Sequence, residues 1–186
     1  MPPLRTRRRF TADEFHRMAR AGILHEDDRV ELLDGEIIEM APIGSRHAAT
    51  VNRMTRRFNE RAAGRFIVSA QNPVRLSNHS EPQPDLMLLR HRNDEYESAH
   101  PGPRDVLLVV EVADTTVSSD RRTKLPMYAA AGIPEASLIN LPRNSIEVHR
   151  GPHDGRYQQV TVYRRGDSIT LLALPDITVS VDAILG

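Results

Sequence analysis

The sequence predicts an α/β (α+β) domain, with a mixed central β-sheet flanked by helices. Three observations carry that prediction. The most apolar run, Val106-Leu107-Leu108-Val109-Val110-Glu111-Val112, reads as a strand covered on both faces and so belongs at the sheet centre. The predicted elements follow the order helix, hairpin, helix, strands, helix, strands, which suits one mixed sheet. A chain of 186 residues can also build one core, burying about 70% of its unfolded surface.

Residues 1–9, with Arg5 and Arg7–Arg9, read as a basic flexible arm, and residues 10–186 as a single domain. Thr11-Ala12-Asp13-Glu14 is a capping box that opens a short helix ending at Gly22. Arg29–Leu33 and Glu36–Met40 flank Asp34-Gly35, the strongest short hairpin signal. Ser45 is expected to cap a helix running to about Ala63 and stopped by Gly64, with Ala48, Val51, Thr55 and Phe58 on its inner side. Strands are predicted at Phe66–Ala70, Pro73–Leu76 and Asp85–Leu89, followed by a polar loop over 90–104. After the central strand, a helix is expected over Asp120–Ala131; Pro126 makes it start late or kink. The remainder reads as β-hairpins: Ala136–Asn140, Ser145–Arg150, Tyr157–Tyr163, Ser168–Leu172 and Ile177–Val181.

Composition excludes several classes. No cysteine is present, which removes disulfides and thiolate chemistry and fits a reducing, cytoplasmic location. No window approaches the length of a membrane span, and the opening residues lack the apolar stretch of a secretory signal. Net charge is zero, so no global field draws the chain to nucleic acid. Tryptophan is absent and aromatics are 4%, which argues against a base-stacking platform. Phosphate-binding and dinucleotide glycine loops, the Gly-x-Ser-x-Gly elbow and His-Glu-x-x-His are all missing. His149 and His153 read as loop histidines rather than a metal pair, because Gly151-Pro152 would break a helix between them.

What remains is an acidic pair followed by a lysine. Asp85 opens one apolar stretch and Glu111 interrupts another, where a carboxylate is costly unless paired or bound to metal. Two carboxylates from neighbouring strands suit Mg²⁺ or Mn²⁺. Alternatively, Glu111 ends its strand and pairs with Arg121 or Arg122. Lys124 is the one lysine among 25 basic residues, and a compact ammonium beside such a site could act on a bound water or on developing charge.

Pro84-Asp85, Glu111-Val112-Ala113 and Lys124 resemble the PD-(D/E)XK nuclease superfamily. More closely, the chain resembles the Uma-type putative restriction endonucleases from Phe10 to Gly186. That resemblance rests on Val30–Glu36, the His47 helix, Gln83–Leu86, Val109–Val112, Asp120 with Lys124 and Tyr128, and Ala131–Glu135. It implies a restriction-endonuclease-like core with extra C-terminal β-hairpins. Asp85, Glu111 and the Val112 carbonyl would be Mg²⁺ ligands (Mn²⁺ substituting), and Glu31 an additional acidic residue. Ala113 occupies the usual lysine position, so Lys124 would serve as a migrated lysine. His47, Asp120 and Gln83 are candidate DNA-binding or accessory residues. Two have a plainer reading: His47 as a surface or hydrogen-bonded histidine, and Asp120 as a helix cap. The arginines at 53, 56, 57 and 61 could meet phosphates or line a solvated helix face. The implied function is metal-dependent hydrolysis of DNA by a homodimer; the alternative is an inactive nucleic-acid- or protein-binding module of the same fold. A small-molecule metal hydrolase would need more histidine ligands.

Overall fold

The structure is a computed structural model and describes residues 7–25 and 27–186. Residues 1–6 of the expected basic arm therefore lie outside it. Arg7, Arg8 and Arg9 pair with Glu36, Glu14 and Asp34, which lays this stretch against the hairpin turn.

Six strands form one sheet in the order β3 (Phe66–Ala70), β4 (Leu86–Arg90), β5 (Val106–Ala113), β6 (Glu135–Asn140), β7 (Ser145–His153) and β8 (Arg156–Arg164). All neighbours are antiparallel except β5 and β6, which are joined by a helical crossover. All eight residues of β5 are buried, as a continuous apolar strand at the sheet centre requires. Its side chains alternate between two cores. Leu108, Val110 and Val112 pack with α2 (Ser45–Ala62) and the C-terminal α5 (Val181–Leu185); Val109 and Ala113 pack with α4 (Lys124–Ala130). Glu111 falls on the α4 side by the same alternation.

The amino-terminal helix α1 (Ala12–Arg20) begins with the expected capping box, Thr11 and Glu14 each satisfying the other's backbone. β1 (Val30–Leu33) and β2 (Glu36–Glu39) form a separate hairpin, whose Leu32 bridges to Glu81. A small β9 (Ser168–Thr170) and β10 (Thr178–Ser180) pair completes the fold.

Several elements differ from expectation for local reasons. The N-cap of α2 is Gly44, not Ser45, and its buried residues include Thr50 and Met54 rather than Ala48 and Thr55. Pro73–Leu76 is not a strand: Val74, Arg75 and Leu76 donate to Pro82, Pro101 and Ser80, which belong to loops. The single helix after β5 is two, α3 (Val117–Arg122) and α4, broken at Thr123. Pro126 thus stands in the first turn of α4, where its missing N–H costs nothing. β7 runs through Gly151-Pro152, so His149 and His153 lie on a strand, the first buried and the second exposed.

Candidate active site

A cleft of about 320 Å³ lies at the end of β4 and β5, walled by the β1–β2 hairpin, the start of α2 and the α3–α4 crossover. Its lining includes Glu31, His47, Gln83, Asp85, Glu111, Val112, Asp120 and Lys124. The fold therefore gathers these eight candidate site residues from positions far apart in the chain.

Each is placed by its element. The β4–β5 ladder ends at Leu86 and Val110, which leaves the next backbone groups of β5 without a strand partner. Asp85, just before β4, fills the gap: its Oδ2 accepts the Val112 N–H at 2.8 Å. In a strand, a residue's N–H and C=O point to the same side, so the Val112 carbonyl faces this open edge too. On the other oxygen of Asp85, Oδ1, sits His47 Nε2 at 3.0 Å, brought by the first turn of α2. His47 is thus a hydrogen-bonded, half-buried side chain rather than a surface one, and its Nδ1 is buried without a protein partner.

Lys124, the first residue of α4, points down onto β1 and β5. Its Nζ lies 2.9 Å from Glu31 Oε2 and 3.4 Å from Glu111 Oε1, and its side chain is 8% exposed. Arg121 pairs with Glu147 instead, so Glu111 does not take the arginine partner that spacing alone allowed. The Gln83 N–H holds Glu31 Oε2 at 3.1 Å, while the Gln83 side-chain amide donates to the Gln71 carbonyl. Asp120 accepts from Thr116 Oγ1 at 2.6 Å and makes no ion pair with Lys124 among the described residues.

The sequence places Tyr128 in the family pattern with Lys124 but favours it as a core residue; it is both core and part of the site. It lies one helical turn beyond Lys124 and donates its hydroxyl to Glu111 Oε1 at 2.5 Å, fully buried. The i, i+4 spacing from Lys124 was the available signal, since it sets both side chains on one face of α4.

The electrostatics follow from burial and charge balance. Burial pushes the Glu111 carboxyl up to about 8, against the pull of the Lys124 ammonium. Burial works against the Lys124 charge as well, but Glu111 and Glu31 outweigh it and hold the ammonium above its ordinary range. Asp120 is raised by burial, with Thr116 opposing. Six carboxylates, of Glu31, Glu39, Asp85, Glu111, Asp114 and Asp120, thus line one cleft with a single ammonium, an arrangement short of positive charge.

Comparison with known proteins bears on the fold and the family. No curated protein matches the chain. A crystal structure described as a putative nuclease belonging to DUF820, from Anabaena variabilis, superposes with a TM-score of 0.73 over 95% of this chain and 97% of that one. At 16% sequence identity, that likeness speaks for the fold. The model of the Uma2 family, described as "Putative restriction endonuclease", matches residues 12–182, and with nearly the whole domain covered the chain belongs to that family.

Proposed function

We propose that the protein is a divalent-metal-dependent endonuclease that hydrolyses phosphodiester bonds of DNA. One observation carries the reading: Lys124 is buried in the same cleft as Asp85, Glu111 and Glu31, between two carboxylates it contacts directly. A cluster with surplus buried negative charge is costly in a structural role and apt for holding a cation.

The donor set fits Mg²⁺ or Mn²⁺, which prefer carboxylate and carbonyl oxygens. Asp85, Glu111 and the Val112 carbonyl would hold it, since Lys124 and Tyr128 both engage Glu111 Oε1 and leave Oε2 for the cleft. Bound there, the cation supplies Lewis-acid polarisation of a phosphoryl oxygen and a more acidic water. The protein's own groups do the rest. His47 and the Val112 N–H fix the rotamer of Asp85 from opposite oxygens. Glu31, itself held by the Gln83 N–H, aims the Lys124 ammonium toward charge that develops on the scissile phosphate. Hydrolysis would leave a 5′-phosphate. Because one chain carries one such cleft, cutting both strands of a duplex calls for a two-fold homodimer.

The test has two arms. Mn²⁺ should raise the thermal midpoint of the wild type by mass action but not that of Asp85→Ala. Lys124→Gln should keep the fold while plasmid cleavage falls by roughly 10²–10³-fold, the usual cost of losing one preorganised charge-stabilising donor. Undiminished cleavage by Lys124→Gln would overturn the lysine's role. A midpoint indifferent to Mn²⁺ would favour a binding module of the same fold.

A further inference from the structure

We propose a second metal site, for a borderline transition-metal ion such as Zn²⁺, made by His16, Glu81 and His100. It stands apart from the cleft residues in a different donor set. His16 comes from α1, Glu81 from the bridge to Leu32 of the hairpin, and His100 from the loop before β5. One ligand atom from each lies within 4.8 Å of the other two.

Two features point to an ion rather than to a simple ion pair. Glu81 is 3% exposed, and a buried carboxylate needs partners on both oxygens. Oε1 has one, His16 Nε2 at 2.8 Å, whereas Oε2 is buried with no protein partner. The His16 pairing therefore explains half of the carboxylate and leaves the other half exposed to the full desolvation penalty. The second feature is the neighbouring imidazole. His100 stacks beside His16 with ring centroids 5.8 Å apart, so two imidazoles and a carboxylate converge on the same place.

The ligand chemistry selects the ion. Two imidazoles with one carboxylate suit Zn²⁺, with ligand bonds of about 2.0–2.2 Å and water completing the shell. Mg²⁺, which prefers oxygen, is disfavoured. His100 is exposed on a loop, so it is the side chain with freedom to close onto the ion. Bound metal would tie α1, the 90–104 loop and the Glu81 segment together. That segment pairs with Leu32, beside Glu31, and runs through Gln83 to Asp85, so the ion would also stiffen the stretch that carries two cleft residues.

The experiment uses full-length protein freed of metal by chelation, in an Asp85→Asn background that removes a ligand of the cleft site. Co²⁺, which reports tetrahedral nitrogen and oxygen ligation by its ligand-field absorption, is the probe, followed by Zn²⁺ in thermal unfolding. One Co²⁺ per chain with that absorption, and a Zn²⁺-dependent rise in midpoint, are expected in Asp85→Asn. Adding His100→Ala, an exposed substitution that leaves the fold intact, should weaken both by at least roughly tenfold. Absence of Co²⁺ binding in Asp85→Asn would overturn the proposal, as would binding that survives His100→Ala unchanged. Mn²⁺ with Asp85 intact and His100→Ala present reads the cleft separately, so the two sites can fail independently.

Discussion

Glu111 and His149 are both polar side chains buried in the central sheet, and their surroundings treat them oppositely. Glu111 finds an ammonium and a phenol within reach, whereas His149 Nε2 stands 3.6 Å from Glu147 Oε2, with no hydrogen-bond partner. The groups facing His149 are Glu147 on its own strand, Arg121 of α3 and the Tyr157 ring of β8, 5.8 Å away. Burial lowers the His149 pKa below 6.5, despite Glu147. The native state therefore takes up the proton less readily than the unfolded chain. Stability from this group is full above the unfolded value and is lost as pH falls below it toward the folded one. His149→Gln cannot titrate, so its urea midpoint should fall less than the wild type's between about pH 6.5 and 5. Equal falls in the two proteins would remove His149 as a cause. At this scale the sequence was readable where a charge interrupts an apolar run, as at Glu111, and where a residue type is rare, as with Lys124. It read Tyr128 as a core residue and was silent on Glu81, because an aromatic or an acid in ordinary surroundings carries no mark of the partner that the fold brings to it.

At the scale of elements, the β1–β2 hairpin was legible because its turn chemistry is local. Asp34 and Gly35 both adopt positive φ, 49° and 81°, as the Asp-Gly signal demands. Gly35 has a second reason to be glycine, since a Cβ there would stand 2.6 Å from Arg9 Cβ and 2.9 Å from Arg9 Cα. Gly35→Ala is expected to cost at least the left-handed backbone penalty, lowering the thermal midpoint by roughly 2–8 °C. Because Glu31 lies on this hairpin, Mn²⁺ response should weaken with it; an unchanged midpoint would refute the prediction, since the positive φ penalises alanine even where Arg9 yields. Other elements were hidden for non-local reasons. Pro73–Leu76 has a strand's composition, but the backbone groups that it meets belong to loops. The break at Thr123, by contrast, was marked locally by Pro126, which stands in the first turn of α4. The short α5 depends on Arg53 and Arg57, whose guanidinium groups donate to the carbonyls of Ala183, Ile184 and Leu185. Those arginines read from the sequence as a solvated face or a phosphate-binding row, and they instead close a helix end.

For the molecule as a whole, the interleaved order of elements carried the fold class, since it leaves few ways to bury β5 on both sides. Assembly state is a different matter. β8 is an outer strand of the sheet and exposes Val160 and Val162 by 53% and 44%, an apolar pair on an unpaired edge. Edges of this kind invite pairing with another chain. The homodimer proposed for duplex cleavage should appear in light scattering as twice the 20.9 kDa chain mass. A mass of one chain at micromolar concentration would remove the dimer. Among the described residues, no helix is long and apolar enough to cross a membrane.

The early end of the β4–β5 ladder has a consequence for the order in which the protein comes into being. Asp85 and Val112 meet only after two strands have paired, and Lys124 reaches Glu111 only once the crossover to β6 has closed the parallel pair. Parallel pairing across a crossover is entropically demanding. A chain that ends before β6 is therefore expected to hold Glu31, Asp85, Glu111 and Lys124 apart. Their gathering is expected to wait for β6, so a chain truncated before Glu135 should show no Mn²⁺-dependent rise in thermal midpoint.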